Sequence, residues 1–423
     1  MRAISLSAAA LAAILLFTSQ APAEKKDLIV GFPGFAEYGR RPIDPEEAAK
    51  QPEITKDTEF GGRKLAEWVK LLDDSKDESE RERAVRAIAS YGPVAKDLAA
   101  SALLKHITDN ERDVGVRCKA IIVLSAIGVA DKDKLNFIKL LAHHAGEPSQ
   151  QVLSRYHALL AVVRYAGDLK GSDPADFTYI IGELVPAATD ERSWEVRTVC
   201  LRALGDVGRL QRAMVIKKAD PLLKVDARPF SAAVARLSDL CADVRREAAE
   251  TIFVLGPPDD KLQKDQTIGI IRQRLKTEPE PEVKIWFNMA AMSIDGFKEE
   301  FLSELSGYFG HKDPFVREQA VNAMGTLGKE AKPKIKNLIG ALEDKEAQVS
   351  FAAIVALANI AGSIDSAVIK DDVVDALNQV PRRPADFPKP IADALRSTAV
   401  AAAKYVKEGP PKGSGSGSGS GSK

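Results

Sequence analysis

One pattern of residue classes repeats along the chain, and this repetition restricts the fold more than any other feature. The pattern reads DPFVREQAVNAMGTLG at 313–328, DVGVRCKAIIVLSAIG at 113–128 and SWEVRTVCLRALGDVG at 193–208. Five copies carry an arginine eleven residues before the final glycine, and these arginines are Arg81, Arg117, Arg197, Arg245 and Arg317. Because the residue classes recur while the letters change, the pattern indicates one structural unit used many times.

Small and apolar residues hold fixed positions in each copy. In the copy at 193–208 they are Val196, Cys200, Ala203, Leu204 and Val207, which follow the spacing i, i+4, i+7, i+8 and i+11. This spacing places all five on one side of an α-helix. The final glycine suits a left-handed C-cap. Each copy therefore predicts an amphipathic helix that packs closely against a neighbour.

A second amphipathic segment precedes most copies. Examples are KLAEWVKLLDD from 64, KLNFIKLLAHHA from 134 and KPKIKNLIGALED from 332. Looser copies end at Gly167, Gly296 and Gly362, so the closing glycines recur at intervals of 32 to 48 residues. Alternating β-branched runs are missing, so we predict no sheet. The predicted unit is helix, short acidic turn, helix, and the chain is predicted to be all-α.

Two stretches carry a resemblance to a known family. LGKEAKPKIKNLIGALEDKEAQVSFAAIVALANIAG at 327–362 is close to the repeat of that family, and D-x-x-V-R at 313–317 matches its turn. They resemble HEAT repeats, including the HEAT-like repeats first associated with phycobilin lyases. The resemblance covers residues 63–380 and implies a right-handed α-solenoid of about eight to nine repeats, with the second helices lining a concave side. Unrelated functions share this scaffold.

The two ends of the chain differ from the repeats. Residues 1–23 combine a positive start, the apolar run AISLSAAALAAILLF and the small residues APA, which is typical of a secretory signal peptide. Residues 24–62 are rich in Gly, Pro and aromatic residues and are predicted to form an extended arm. We expect the solenoid over 63–408 and a flexible Gly/Ser tail over 409–423. The protein is therefore expected to be exported, in the periplasm or outside the cell, without a membrane span.

Composition and motifs argue against several function classes. Lys plus Arg and Asp plus Glu both number 60, and this zero net charge disfavours a nucleic-acid partner. Phosphate-loop, zinc-protease and nucleophile-elbow motifs are missing, so we predict no enzyme, no cofactor and no metal site. Cys118, Cys200 and Cys241 are odd in number and widely spaced, which favours buried small residues over a disulfide framework, although a pair could form in an oxidising compartment.

Three histidines are candidates for a metal site, but a structural role is the better interpretation of each. His143 and His144 are adjacent near the end of a predicted helix. Neighbouring residues of a helix point about 100° apart, which is a poor arrangement for binding one metal ion. His157 belongs to the segment SRYHALLAV, where packing is again the favoured role.

The five repeated arginines have two interpretations. They could form a row that binds a ligand, or a structural ladder that runs through the stack. Asp113 with Arg117 and Asp313 with Arg317 have i, i+4 spacing, so a turn acid can hold the arginine of its own helix. In the HEAT family such a ladder is structural. We therefore predict a structural ladder.

The variable positions of the repeated helix supply the candidates for recognition. They lie nine and six residues before the glycine, and the basic ones are Arg83, Arg86, Lys119 and Arg202. Later copies carry Glu247 and Glu250, then Gln319 and Asn322. This gradient predicts a strip whose N-terminal half binds an acidic peptide, protein or glycan, and the alternative is an ordinary solvated face.

These observations together predict an exported, non-enzymatic scaffold that binds a protein or an extended peptide along its concave face. Large curved surfaces built from stacked helices suit that use. The alternative is a lyase-like or other enzyme, or an enzyme-associated subunit, built on the same repeats. The phycobilin-lyase resemblance alone implies that alternative.

Overall fold

The computed structural model of the chain describes residues 53–107, 111, 113–220, 222–380 and 387–409. These residues form 18 α-helices and no strand, apart from one isolated antiparallel bridge between Phe60 and Arg63. The all-α helical-repeat fold predicted from the sequence is confirmed. The predicted signal peptide, residues 24–52 of the predicted arm and the predicted tail beyond residue 409 lie outside the described residues.

The chain divides into two compact units, and the boundary falls between Thr267 and Ile268. The first unit, over the described residues from 53 to 267, contains five helix pairs. These pairs are α1 (Leu65–Asp74) with α2 (Glu78–Ser90), α3 (Lys96–Lys105) with α4 (Val114–Ile127), α5 (Lys134–Gly146) with α6 (Val152–Tyr165), α7 (Pro174–Leu184) with α8 (Trp194–Lys218), and α9 (Arg228–Arg236) with α10 (Ala242–Leu255). The boundary lies inside α11 (Lys261–Thr277).

The second helices of the first unit form a continuous row. Each of α2, α4, α6, α8 and α10 contacts the next one in this order. The predicted stripe of α8 is buried, since all five of its residues, from Val196 to Val207, are 0% exposed, and Cys200 donates to the carbonyl oxygen of Leu184 in α7. Burying one large apolar side chain stabilises the fold by about 1.5–3 kcal/mol. No single pair can cover its own stripe, so each pair stabilises the next.

The second unit follows the same plan over the described residues from 268 to 409. Its helices after α11 are α12 (Pro281–Asp295), α13 (Glu299–Gly307), α14 (Pro314–Thr326), α15 (Ile335–Ala341), α16 (Ala347–Gly362), α17 (Ala367–Asn378) and α18 (Lys389–Glu408). Here α12, α14, α16 and α18 contact one another in sequence. One side of α18 is buried through Leu395, Ala399 and Ala403, at i, i+4 and i+8.

One closing glycine does not end its helix. Gly128 and Gly256 end α4 and α10 with φ values of 85° and 73°, where glycine avoids the strain of a side chain. In contrast, Gly208 lies inside α8, which continues to Lys218. A Cβ atom at Gly208 would lie 2.7 Å from Cδ2 of Leu255 on the neighbouring helix. The prediction of a C-cap at Gly208 was wrong, because glycine serves close helix packing there.

The described helices contain no segment long and apolar enough to cross a bilayer. The three cysteines are free thiols; Cys118 and Cys200 are buried and Cys241 is half-buried. Burial raises the pKa of the Cys118 thiol to about 11 and raises the pKa of Cys200 further. These thiols therefore stay protonated at neutral pH and pack as small apolar groups.

Candidate functional site

Several turns carry an acid that binds an arginine of the preceding helix pair. The clearest example is Asp239, between α9 and α10. Its carboxylate oxygens accept hydrogen bonds from Nε and Nη2 of Arg197 in α8, at 2.9 and 2.8 Å. Arg197 also donates through Nη1 to the carbonyl oxygen of Asp190 at 2.7 Å, and Arg245 of α10 donates to the carbonyl oxygen of Asp239 at 2.9 Å. One arginine thus joins two consecutive turns.

The same arrangement recurs in both units. Arg81 holds Glu111 through two bonds of 3.1 and 3.0 Å. Arg317 holds Asp344 through two bonds of 2.7 and 2.8 Å. In these pairs the arginine side chains are only 14% and 7% exposed. Two-pronged, charge-assisted bonds in such a setting are strong, and removing one partner leaves the other charge buried.

The row of arginines contains a member that the sequence pattern missed. Arg155 in α6 is 1% exposed and donates through Nη1 to the carboxylate of Asp190. The looser copy that ends at Gly167 carries its arginine one residue earlier, so counting eleven residues from the glycine skipped it. The acids offered a second signal, because Glu111 and Asp239 each precede the next arginine of the pattern by six residues.

The acids at i, i+4 spacing do not hold the arginines as predicted. Asp113 accepts hydrogen bonds from two backbone N–H groups in the first turn of α4, and Asp313 accepts one in α14. Arg117 instead donates to the carbonyl oxygen of Glu111, and Arg317 binds a carboxylate 27 residues away. The prediction of i, i+4 pairs was wrong, because a short carboxylate at the N-cap satisfies unpaired helix N–H groups.

Hydrogen bonding keeps the turn acids ionised. Burial alone would raise the pKa of Glu111, but hydrogen bonds from the N–H of Asp113, from His106 and from Arg81 outweigh burial and lower that pKa. Burial likewise opposes ionisation of Asp239, whose pKa is nevertheless lowered, chiefly by Arg197. Both acids are therefore charged at neutral pH, and each arginine meets a full negative charge.

We number each second helix from its arginine of this row, which is position 0, so that the predicted recognition residues fall at positions +2 and +5. The candidate strip consists of these two positions on the five second helices of the first unit. Its residues are Arg83 and Arg86 on α2, Lys119 and Ile122 on α4, His157 and Leu160 on α6, Val199 and Arg202 on α8, and Glu247 and Glu250 on α10.

At the start of the candidate strip, Glu82 of α2 binds two of the predicted recognition residues. Arg86 donates to Oε2 of Glu82 at 2.7 Å, and Lys119 of α4 donates to Oε1 at 2.5 Å. The bond from Lys119 is the largest influence on Glu82 and lowers its pKa. Arg83 instead lies over the ring of Trp68, 5.4 Å from the ring centre. The structure therefore brings Arg86 and Lys119 together, while Arg83 contacts an aromatic ring.

At the other end, Arg202 of α8 binds Glu247 of α10. Its Nε and Nη2 donate to the two carboxylate oxygens at 3.1 and 2.7 Å. Glu247 is only 1% exposed, whereas the Arg202 side chain is 46% exposed. One turn along α10, burial and then the neighbouring Glu247 raise the pKa of Glu250 to about 7. Arg202 thus lies among acids and does not join Arg86 and Lys119 at Glu82. Binding of a partner at these residues stays a prediction.

The adjacent histidines take different partners. Nδ1 of His143 lies 2.8 Å from Oε2 of Glu183, and Nε2 of His144 lies 3.1 Å from Oγ of Ser154. His144 is buried, while half of the His143 side chain is exposed. These contacts join α5 to α7 and to α6, which is a structural use of both side chains.

Solved structures provide the comparison with known proteins. Two engineered proteins are each 18% identical with a TM-score of 0.41; they cover 55% and 82% of this chain, and 96% and 99% of their own chains are matched. Kap95p, whose binding induces the switch loops of RanGDP to adopt the GTP-bound conformation, is 10% identical with a TM-score of 0.51. That match covers 82% of this chain and 45% of Kap95p, a HEAT/armadillo solenoid. No family model matches the sequence, and no curated protein matches it significantly. The likeness to Kap95p supports the helical-repeat solenoid fold.

Proposed function

We propose that this chain is an exported, non-catalytic scaffold that binds a protein, or an extended segment of one, along the candidate strip. The observation that carries the proposal is the bonding between consecutive turns, such as that of Arg197, which holds neighbouring second helices at one fixed register. Such a register turns separate side chains into one continuous surface. The proposal of export rests on the composition of residues 1–23.

Two arginines of the candidate strip are exposed enough to contact a partner. Arg86 has a 60% exposed side chain, and Arg202 has a 46% exposed one. The pair of Arg86 with Glu82 is the more exposed of the two, and an exposed ion pair contributes only about 0–1 kcal/mol, so an acidic group of a partner can share Arg86 at little cost. The protein-binding activity that is stated for Kap95p agrees with this choice of partner class.

The test is capture of a partner by three forms of the purified protein. The forms are the wild type, the strip variant Arg86→Glu, and the control Lys70→Glu, which changes an exposed residue of α1 by the same charge. Exported and cytosolic fractions of the source cells are each passed over all three forms, and bound proteins are quantified by mass spectrometry.

We expect one protein from the exported fraction to bind the wild type and the control equally, and to bind Arg86→Glu at least about tenfold less, as for loss of one interface anchor. Equal recovery on all three forms would contradict the strip as the binding surface. Recovery from the cytosolic fraction alone would contradict export, and turnover of a small molecule by the purified chain would favour the enzyme alternative.

A further inference from the structure

A nearly buried histidine on the candidate strip has no hydrogen-bond partner in the part of the chain that the structure describes. His157, at position +2 of α6, is 8% exposed, and its contact is an edge-on one with the ring of Tyr156 at 5.5 Å. Neither ring nitrogen is sealed from solvent. Burial lowers the pKa of His157, so the ring is neutral at neutral pH, with one donor and one acceptor nitrogen. Because both nitrogens reach solvent, they can bond to water or to a bound ligand.

The junction of α4 with α6 and the junction of α8 with α10 have one approach in common. A Cβ atom at Gly128 would lie 3.7 Å from Oη of Tyr165, which joins position +11 of α4 to position +10 of α6. A Cβ atom at Gly208 would lie 2.7 Å from Leu255, which joins the same positions of α8 and α10. At both junctions, the side chain at position +10 of the later helix therefore reaches position +11 of the earlier one.

This common approach indicates a neighbour of His157. At the second junction, Arg202 at position +5 reaches Glu247 at position +2 of the next helix. By analogy with that junction, we infer that the half-buried Ile122, at position +5 of α4, lies beside His157, at position +2 of α6.

The next residues along the strip are also apolar. Leu160 is half-buried, and Val199 is 7% exposed. We call Ile122, His157, Leu160 and Val199 the apolar centre of the candidate strip. The pair of Arg86 and Lys119 lies on one side of the apolar centre, and Arg202 with Glu247 and Glu250 lies on the other.

Glu250 is the acid of this strip that is open to a new cation. Its side chain is 31% exposed, and its contact with Arg246 is 3.7 Å long, beyond hydrogen-bond distance. Glu247, in contrast, is held by both nitrogens of the Arg202 fork. A cation from a partner would therefore meet Glu250 without breaking an existing hydrogen bond of that carboxylate.

We propose that the half-buried Ile122 and Leu160 of the apolar centre hold an aliphatic side chain of an extended peptide, that His157 bonds to the backbone of that peptide, and that Glu250 binds a Lys or Arg of it. This inference rests on the proposed scaffold function and names the chemistry of its partner. Packed helices lie about 8–10 Å apart, so two steps from α6 to α10 span about 16–20 Å, or about five to six residues of extended chain. The aliphatic and basic residues are therefore five to six positions apart.

The first experiment selects peptides from a displayed library of random sequences, long enough to span this distance, on the full purified chain. We expect the enriched peptides to share an aliphatic residue and a Lys or Arg at that spacing. The best one, made with a fluorescent label, should bind Leu160→Glu and Glu250→Lys about tenfold more weakly than the wild type, as for loss of an anchor residue. The control Lys70→Glu should bind it unchanged.

A second measurement needs no substitution, so it stays decisive if a variant fails to fold. The chain contains five histidines, which makes their ring nitrogens separable by nuclear magnetic resonance. Adding the labelled peptide to the wild type should shift the His157 nitrogens and leave those of the other four histidines in place.

Three outcomes would overturn the inference. They are a library without enrichment, enriched peptides that lack the basic residue, and peptide binding that leaves the His157 signal unmoved. If a captured protein partner responds to Arg86→Glu but not to Leu160→Glu, the scaffold function survives and this inference fails. If a partner responds to neither variant, both fail.

Discussion

The two units use the same repeat to present different chemistry. At positions +2 and +5, α8 and α10 of the first unit carry the charged residues Arg202, Glu247 and Glu250, whereas α14 of the second unit carries Gln319 and Asn322. In α8 and in α14 the arginine at position 0 still holds the acid of the following turn. We call the bonds between these arginines and the turn acids the frame. The frame can therefore stay the same while the residues at positions +2 and +5 change. The charged candidates for recognition lie in the first unit.

The second unit also shows that the frame can change its chemistry. Helix α16 has no arginine of this row; Ser350, six residues after the turn acid Asp344, takes the place of position 0, and its hydroxyl donates to the carbonyl oxygen of Leu342 at 3.2 Å. A neutral hydroxyl of 1% exposure replaces the guanidinium there without a charge to compensate. The requirement at position 0 is thus a donor directed at the turn, and arginine adds a bond to the next repeat.

The largest expected effect tests whether the frame is equally strong in both units. Asp239→Ala and Asp344→Ala each leave a mostly buried arginine without its carboxylate, and we expect each to lower the free energy of unfolding by about 3–5 kcal/mol. Urea titration followed by circular dichroism measures this loss, with Asp74→Ala on the surface of α1 as the control. A loss below about 1 kcal/mol in either unit, typical of an exposed pair, would remove the structural role assigned to the ladder there.

The next effect compares one repeat position in the two units. Gly205 and Gly325 both stand at position +8, but a Cβ atom would lie 3.5 Å from Thr251 in the first case and 2.8 Å from Cα of Ala356 in the second. We expect Gly325→Ala to cost about 1–3 kcal/mol through overpacking. Gly205→Ala should stabilise by up to about 1 kcal/mol, because alanine favours helix. Thermal melts that ranked the two variants in the opposite order would contradict the packing described for these junctions.

The third effect is a pH dependence carried by Glu250. Since its pKa is raised to about 7, the folded state binds a proton that the unfolded state has released, and stability falls as pH rises from about 4.5 to 7. Glu250→Gln should therefore stabilise the protein at pH 8 by on the order of 1 kcal/mol and have little effect below pH 5. Glu318→Gln in the second unit, where burial alone raises the pKa, is the comparison. We expect a smaller gain there, and equal gains would mean that the neighbouring Glu247 contributes nothing.

The smallest effect separates two helix caps. Asp313→Ala removes the cap of α14 and should cost about 1 kcal/mol. Asp113→Ala removes the cap of α4, but carboxylate oxygens of Glu78 and Glu82 lie within 4.8 Å of that of Asp113, so its removal also relieves repulsion. We expect a smaller loss of melting temperature for Asp113→Ala than for Asp313→Ala. The two losses of melting temperature should become more similar in high salt, because salt screens the repulsion.

Sequence reasoning predicted the elements of the fold but not the partners of their charges. The stripe from Val196 to Val207 was found because the helical period is local and appears in consecutive residues. The pairing of Arg197 with Asp239 spans 42 residues, and it depends on how far one helix slides along the next. The same reason explains why Arg155 was missed.

For the candidate strip, too, the sequence predicted the positions of the residues but not their contacts. Its positions followed from the repeat, so Arg86, Lys119 and Arg202 were named from the sequence as basic candidates. That Glu82 takes two of them and Glu247 takes the third follows from contacts between helices. The role now proposed for His157 reverses the purely structural one expected from its segment, because its burial without a partner emerges only from packing.

The sequence by itself determined that the chain is an all-α array of helix pairs, since an apolar stripe repeated at the helical period can be buried only by stacking. The prediction of export also comes from the sequence alone, through the signal-peptide pattern of residues 1–23. The tertiary structure alone decided which charges neutralise one another and which polar groups stay unpartnered. The physical reason is that a side-chain bond needs atoms within about 3 Å, and only the register between neighbouring helices sets such distances.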